Sequence, residues 1–312
     1  MANTFLTPSV IARAALATLY ETTVMAQLVH RDYEEEFAAR IGDTVNVRKP
    51  AVFQANEYVR ANGIQIQNAQ ETSIPVRLNH FADVSFAVTT EELTLKIEDF
   101  GVQLLGPAME AIAQKIDRDI LALRDDVLQE VGVANVQHPA NPVGKNVYAY
   151  GNPRVAIDAR RVLNQRNVPS ADRYLVCGPE TEALWLGDDL FNRADARGDT
   201  DGLREASLGR RIFGYDPYQT QNIKVPAQTT GNSKSEVGVA FHRTAFALVT
   251  RPLVLPQGAA NAAVASYKGF GLRVVMDYDI DKKQDVVSID CLYGTKTLDE
   301  NRAVLIKDAD VV

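Results

Sequence analysis

Two cysteines, four histidines, four methionines and one tryptophan are all that the 312 residues hold of those types. Each scarcity removes a class of function. Cys177 and Cys291 stand far apart and form no CxxC pair, so neither a disulfide framework nor a zinc ribbon fits; they read as reduced, buried thiols of an intracellular protein. His30, His80, His138 and His242 lie in unrelated contexts and no GxSxG elbow accompanies them, which leaves a hydrolytic triad without support. No Walker loop is present, and "GFGLRV" at 269–274 supplies two of the three glycines of a dinucleotide fingerprint, with Val274 in the third place. Positive charge is also short: 33 Lys and Arg against 40 Asp and Glu give a net charge of −7. That balance argues against nucleic acid as the primary ligand. Long apolar runs are missing too. The most apolar stretch, "SVIARAALATLYETTVMAQLV", is broken by Arg13 and Glu21 and reads as neither a signal peptide nor a membrane span, which predicts a protein made in a cytoplasm.

What is present is ordinary core material, 46% hydrophobic and 23% charged, over a length that predicts two joined domains. Thr7 and Pro8 supply the cap and first turn of an amphipathic helix over 7–29, with Val10, Ala14, Ala17, Val24 and Leu28 at helical spacing. This helix either packs on its own domain or serves as an arm on a neighbouring subunit. The run Glu34-Glu35-Glu36 that follows reads as a solvated face, since adjacent carboxylates on a helix point apart. Strand alternation then appears at Val45 and Val47, at Ile74, Val76 and Leu78, and at Val84, Phe86 and Val88. Between the first two of these lies a polar excursion with Asn62-Gly63 as a turn signal; so bare a hairpin is marginal alone and predicts a support, for which a partner subunit is the natural candidate.

Leu105, Met109, Ile112, Ile116, Ile120, Leu123, Val127 and Val131 step by three or four, which predicts a helix over 107–131 that opens at Gly106-Pro107 and stops at Gly132. At 1.5 Å per residue it would be roughly 37 Å long. A compact α/β segment follows: a helix opened by Asn152-Pro153, the strand "DRYLVCGP", a helix in "PETEALWLGDDLF", an exposed polar loop, and a strand and turn in "RRIFGYDPYQTQNI". From 238 onward the chain reads as strands.

Asp277, Asp279 and Asp281 match the first three ligands of a calcium loop, but Lys282 replaces the required glycine and Ser288 the final glutamate. The better reading is a hairpin: a strand over 271–280, a turn over 281–284, and a strand over 285–293 with Val287, Ile289 and Cys291 on one face. The aspartates then share a polar face while Met276, Tyr278 and Ile280 face the other way.

Taken in order, "LTPSVIARAALATLYETTVMAQLVHRDYEEEF", "GDTVNVRKP", the long hairpin, "EELTLKIEDFGVQLLGPAMEAIAQKIDRDIL", the α/β middle and the β-rich end resemble the major capsid proteins of tailed bacteriophages, in particular the P22-type coat proteins with the HK97 fold. The resemblance implies an α+β subunit with an N-terminal arm (1–42), an E-loop hairpin (43–92), a spine helix and the start of a peripheral domain (93–144), an axial domain (145–245), and peripheral strands (246–312) whose last strand returns toward the axial domain. It also implies a non-enzymatic protein without cofactor or metal. Its hexamers and pentamers would enclose double-stranded DNA without sequence-specific binding, with scaffolding, portal and decoration proteins as further partners and no membrane. The implied contacts between subunits are Asn62, Gly63, Ile64, Tyr33 and Glu35, and the implied hinge is Gly106 and Pro107. Two departures stand out. The chain is too short for the domain inserted in strict P22-type subunits, and Lys49 at the hairpin base is the hairpin's sole lysine, which predicts no covalent crosslinking. An encapsulin-like compartment shell and a cytoplasmic α/β enzyme with a scattered site are the alternatives.

Overall fold

The computed structural model describes residues 23–31, 44–49, 72–89, 106–133, 147–192, 211–256, 261–267 and 270–311, with a few single positions in between. Most of the arm expected over 7–29 therefore lies outside the described residues. Its described end is a single helical turn, α1 (Met25–Leu28).

Three sheets organise the rest. The first is a two-stranded antiparallel ladder of β1 (Thr44–Lys49) and β2 (Thr72–Arg77), with Thr44 opposite Arg77 and Lys49 opposite Thr72. Val47 and Val76 turn inward from this ladder and pack on Ala247, Val249 and Leu298. The base of the hairpin thus rests on its own chain. Its two strands would be marginal alone, and this small apolar cluster supplies the missing face.

The second sheet has the order β3-β11-β10-β9, and β8 also pairs with β11. Its strands are β3 (His80–Thr89), β8 (Phe246–Arg251), β9 (Asn261–Tyr267), β10 (Phe270–Asp279) and β11 (Gln284–Thr297). Alternation places Ala82, Val88, Leu272, Val274, Val287, Ile289, Cys291 and Tyr293 on one buried face. That face shares a core with Met109, Ile112, Ala113, Ile116 and Ile120 of helix α2 (Gly106–Ala122). Each such aliphatic side chain contributes about 1.5–3 kcal/mol by leaving water, so this contact holds helix and sheet together.

Helix α2 is 17 residues long, shorter than its apolar spacing predicts. Residues Leu123–Asp126 tighten into a 3-10 turn, and Glu130–Val131 form a short strand, β4, parallel to β12 (Ala303–Ile306). The Arg124 guanidinium donates to the Val237 carbonyl at 2.9 Å, drawing the chain away from the helix axis. Gly132 has φ +125°, and a side chain there would collide with the Lys307 carbonyl. Val127 and Val131 are buried, which explains their spacing, but they are buried outside the helix.

The third sheet has the order β4-β12-β7-β5-β6. Its remaining strands are β5 (Arg173–Cys177), β6 (Asp216–Gln219), β7 (Gly238–His242) and β12 (Ala303–Ile306). It separates two cores. Val176, Val239, Phe241 and Ala303 face the core beneath α2, whereas Leu175, Cys177, Ala240, Val304 and Ile306 face a second core. Helix α3 (Val155–Gln165) and helix α4 (Pro179–Leu186) line that second core, with Trp185 at its centre and the short α5 (Asp189–Asn192) beside it. Buried Glu236 anchors the start of α4 by accepting from the Thr181 backbone N–H and hydroxyl, both at 3.0 Å. Its carboxylate occupies the space where a Cβ at residue 178 would lie, so a side chain there would displace Glu236 from the cap.

The expected acidic hairpin is β10–β11, in register from Arg273 opposite Asp290 to Asp279 opposite Gln284. The turn spans 280–283, one residue earlier than predicted. The Asp279 carboxylate accepts from the N–H groups of Asp281 (3.0 Å) and Lys282 (3.3 Å), and Lys283 closes the turn at φ +51°. Local backbone bonds thus account for Asp279. Tyr278 and Ile280 point away from the aspartates but are exposed, because the hairpin outruns the core.

Candidate inter-subunit surface

Of the contact residues expected from the sequence, Asn62, Ile64, Tyr33 and Glu35 lie outside the described residues. Gly63 is exposed, with φ +71° and open space around its missing side chain, the geometry of a turn residue. Gly106 and Pro107 form the first turn of α2, where a proline needs no hydrogen-bond partner. Of the expected contact and hinge positions, the structure therefore describes Gly63, Gly106 and Pro107.

The structure does show how the described end of the N-terminal segment and the foot of the hairpin are anchored. Asp117, in the buried stripe of α2, accepts from the backbone N–H of Val24 (3.0 Å) and Met25 (3.1 Å), at the open end of α1. Burial pushes this carboxyl up to about 6, against the lowering effect of the N–H donors. Beyond α1, the His30 N–H donates to Phe246 and its carbonyl accepts from Leu248, both at 3.0 Å, and the Arg31 guanidinium sits 4.2 Å from the centre of the Phe270 ring. Met25, Ala26, Leu28 and Val29 are buried in the main core.

A second cluster stands at the foot of the hairpin. His80, the first residue of β3, stacks on Tyr293 with ring centres 5.3 Å apart. Asp119 of α2 accepts from the Tyr293 hydroxyl (2.5 Å) and from Lys115 (3.1 Å), and lies 3.3 Å from His80 Nδ1. Burial and the adjacent Asp119 push the Tyr293 hydroxyl well above the usual phenol range. Close by, Gly294 passes under the chain leaving β2, and a Cβ there would lie 2.0 Å from the Arg77 carbonyl oxygen. The outer face of the second sheet carries a polar ladder. Arg273 donates through Nε (2.8 Å) and Nη2 to buried Asp290, and the Ser288 hydroxyl bridges to Asp290 and Asp83.

Sequence reasoning missed both Asp117 and the Arg273–Asp290 pair. A signal for Asp117 existed: Ala113, Asp117 and Leu121 form an i, i+4 series inside the apolar stripe, so one carboxylate had to be buried.

Among the described residues, burial shifts several reactive groups. Burial pushes the Cys177 and Cys291 thiols up to about 12, away from the reactive thiolate. Burial lowers the pKa of His242, whose Nδ1 accepts from the Thr244 N–H as a cap. Among the described residues, no three His, Cys, Asp or Glu side chains gather as a metal site. What the surface offers is exposed aliphatic residues: Ile66 at 88%, Val254 at 84% and Ile280 at 76%.

No protein-family model and no curated protein matches the sequence. The fold, however, is similar to that of solved phage capsid structures over nearly the whole chain. A chain from Mycobacterium phage Che8 superposes with a TM-score of 0.66 at 20% identity, covering 91% of this chain and 90% of that one. The capsid of the cyanophage P-SCSP1u gives 0.62 at 10% identity, covering 99% and 91%, and the capsid of an empty GTA particle gives 0.59 at 13%, covering 92% and 90%.

Proposed function

We propose that this chain is a major capsid protein that assembles into the icosahedral head of a tailed phage. The observation that carries the reading is the likeness to phage capsid folds over almost the full length of both chains. In this reading the chain has the HK97 organisation. Residues 1–42 are the arm, 43–92 the E-loop over a neighbouring subunit, 93–144 the spine helix leading into the peripheral domain, 145–245 the axial domain at the capsomer centre, and 246–312 the peripheral strands. Gly106 and Pro107 are the hinge, and Tyr33, Glu35, Asn62, Gly63 and Ile64 are contacts to neighbours. Hexamers and pentamers close the shell by many modest head-to-tail contacts, with multivalency supplying the stability. A net charge of −7 suits a wall that encloses DNA without gripping it. Scaffolding and portal proteins are its assembly partners, in the host cytoplasm. The likeness to phage capsids favours this reading over an encapsulin-like compartment.

Negative-stain microscopy of the expressed chain provides the test. Shells or capsomers are expected, and a persistent small monomer refutes the proposal. Nucleic acid inside particles isolated from their source separates a phage head from a compartment that packages enzymes. Denaturing electrophoresis of those particles should show the monomer band alone, because Lys49 is the sole lysine of the hairpin; a ladder of covalent multimers would overturn the non-crosslinked reading.

A further inference from the structure

Strands at the edge of a sheet expose unpaired N–H and C=O groups, and proteins guard such edges with charge, proline or bulges. Nearly every edge among the described residues is guarded. β2 carries Pro75 and Arg77, β3 carries Asp83, β4 carries Glu130, and β6 carries Asp216 and Pro217. β8, beside β11, ends in Arg251 and meets His30 along its other side. β9 is different. Its sequence, Asn261-Ala-Ala-Val-Ala-Ser-Tyr267, contains no charged residue and no proline. It pairs with β10 from Asn261 opposite Met276 to Tyr267 opposite Phe270, and no described strand pairs with its other side.

Two neighbouring features suit this edge to an incoming strand. The side chains of Ala262, Ala263 and Ala265 are small, which keeps the approach open. Exposed aliphatic surface lies next to it: Val264, opposite Arg273, is 36% exposed, and Arg273 Nη1 donates to the Val254 carbonyl, holding Val254 (84%) and Leu255 (45%) over the same outer face. The crossing segment is fixed in place, because Pro252 lies where a side chain at Gly271 would be.

We infer that β9 is an assembly edge, extended in the shell by a strand from a second copy of this chain. The inference rests on the shell reading above, which makes identical neighbours the molecules present at every contact. Backbone pairing supplies the register, and the Val254, Leu255 and Val264 aliphatics supply the apolar contact that favours a strand over water.

Hydrogen exchange read by mass spectrometry on the purified full chain, dissociated and assembled, tests this. Alternate amides of residues 261–267 should gain protection of about tenfold or more on assembly, as paired strand amides do. Val264→Lys, which places a charge on the exposed side of the edge, should arrest assembly at smaller species; Val264→Thr, which keeps a β-branched residue, should assemble. If the chain forms no multimers at all, the shell reading falls and this inference with it. If multimers form but residues 261–267 exchange as fast as in the dissociated chain, or Val264→Lys assembles like the wild type, the inference alone is overturned. Protection already present in the dissociated chain, or appearing solely when a different protein is added, would equally overturn it by naming another occupant.

Discussion

Replacing Asp117 by Asn keeps the size of the α1 anchor, removes its titration and forfeits one of its two accepting oxygens at every pH. In the folded chain burial lifts the Asp117 carboxyl from 3.8 to about 6, with the N–H groups of Val24, Met25 and Ala26 pulling the other way. A raised carboxyl means that the folded chain holds this proton more tightly than the unfolded chain. The stability it supplies is complete below about 3.8 and is lost as pH rises through about 6. At about 1.4 kcal/mol per tenfold, wild type should lose about 2 kcal/mol relative to Asp117→Asn between pH 4.5 and pH 7.5. Urea unfolding followed by far-ultraviolet circular dichroism at the two pH values measures the gap. Fluorescence would be a poor substitute, because the single tryptophan, Trp185, lies in the other core. A gap that does not change with pH refutes the reasoning. A gap that moves in favour of wild type as pH rises would show that the backbone donors outweigh burial and hold Asp117 ionised.

Three further perturbations probe the same framework. Gly294→Ala drives a Cβ into the Arg77 carbonyl and should cost about 3 kcal/mol, with amides of β1 and β2 losing exchange protection before those of β11. Arg273→Ala leaves Asp290, 3% exposed, without its cation and should cost about 3 kcal/mol; replacing both residues by leucine should cost clearly less, which a double-mutant cycle in urea would resolve. Tyr293→Phe removes the donor to Asp119 and should cost about 2 kcal/mol in thermal or urea unfolding, while an unchanged midpoint would deny that bond a role.

Local periodicity made the β10–β11 hairpin legible, since Val287, Ile289 and Cys291 alternate just as a half-buried strand requires. The turn moved by one residue because the Asp279 side chain bonds two backbone N–H groups, a competition that apolar spacing does not record. The helix is shorter than its apolar spacing predicts for a related reason. Leu123, Val127 and Val131 continue the helical spacing, yet Val127 and Val131 owe their burial to a chain that leaves the helix and joins β12. The anchoring of the arm was illegible for a different reason. Val24 and Asp117 meet across 93 residues of sequence, and nothing near either announces the other.

The position of β11 explains why the appendages are not independent of the body. This one strand pairs with β10 and then β8 along its length while β3 pairs along its other side. Its residue Tyr293 bonds to α2 through Asp119 and stacks on His80, the residue that follows the hairpin into β3. Its next residue, Gly294, carries the chain leaving β2 in direct backbone contact. Displacing the hairpin foot against α2 therefore costs the stack or the Tyr293–Asp119 bond, since one side chain makes both. Hairpin position and helix position are coupled at that residue, and a shape change that moves one without the other has to give up one of the two contacts.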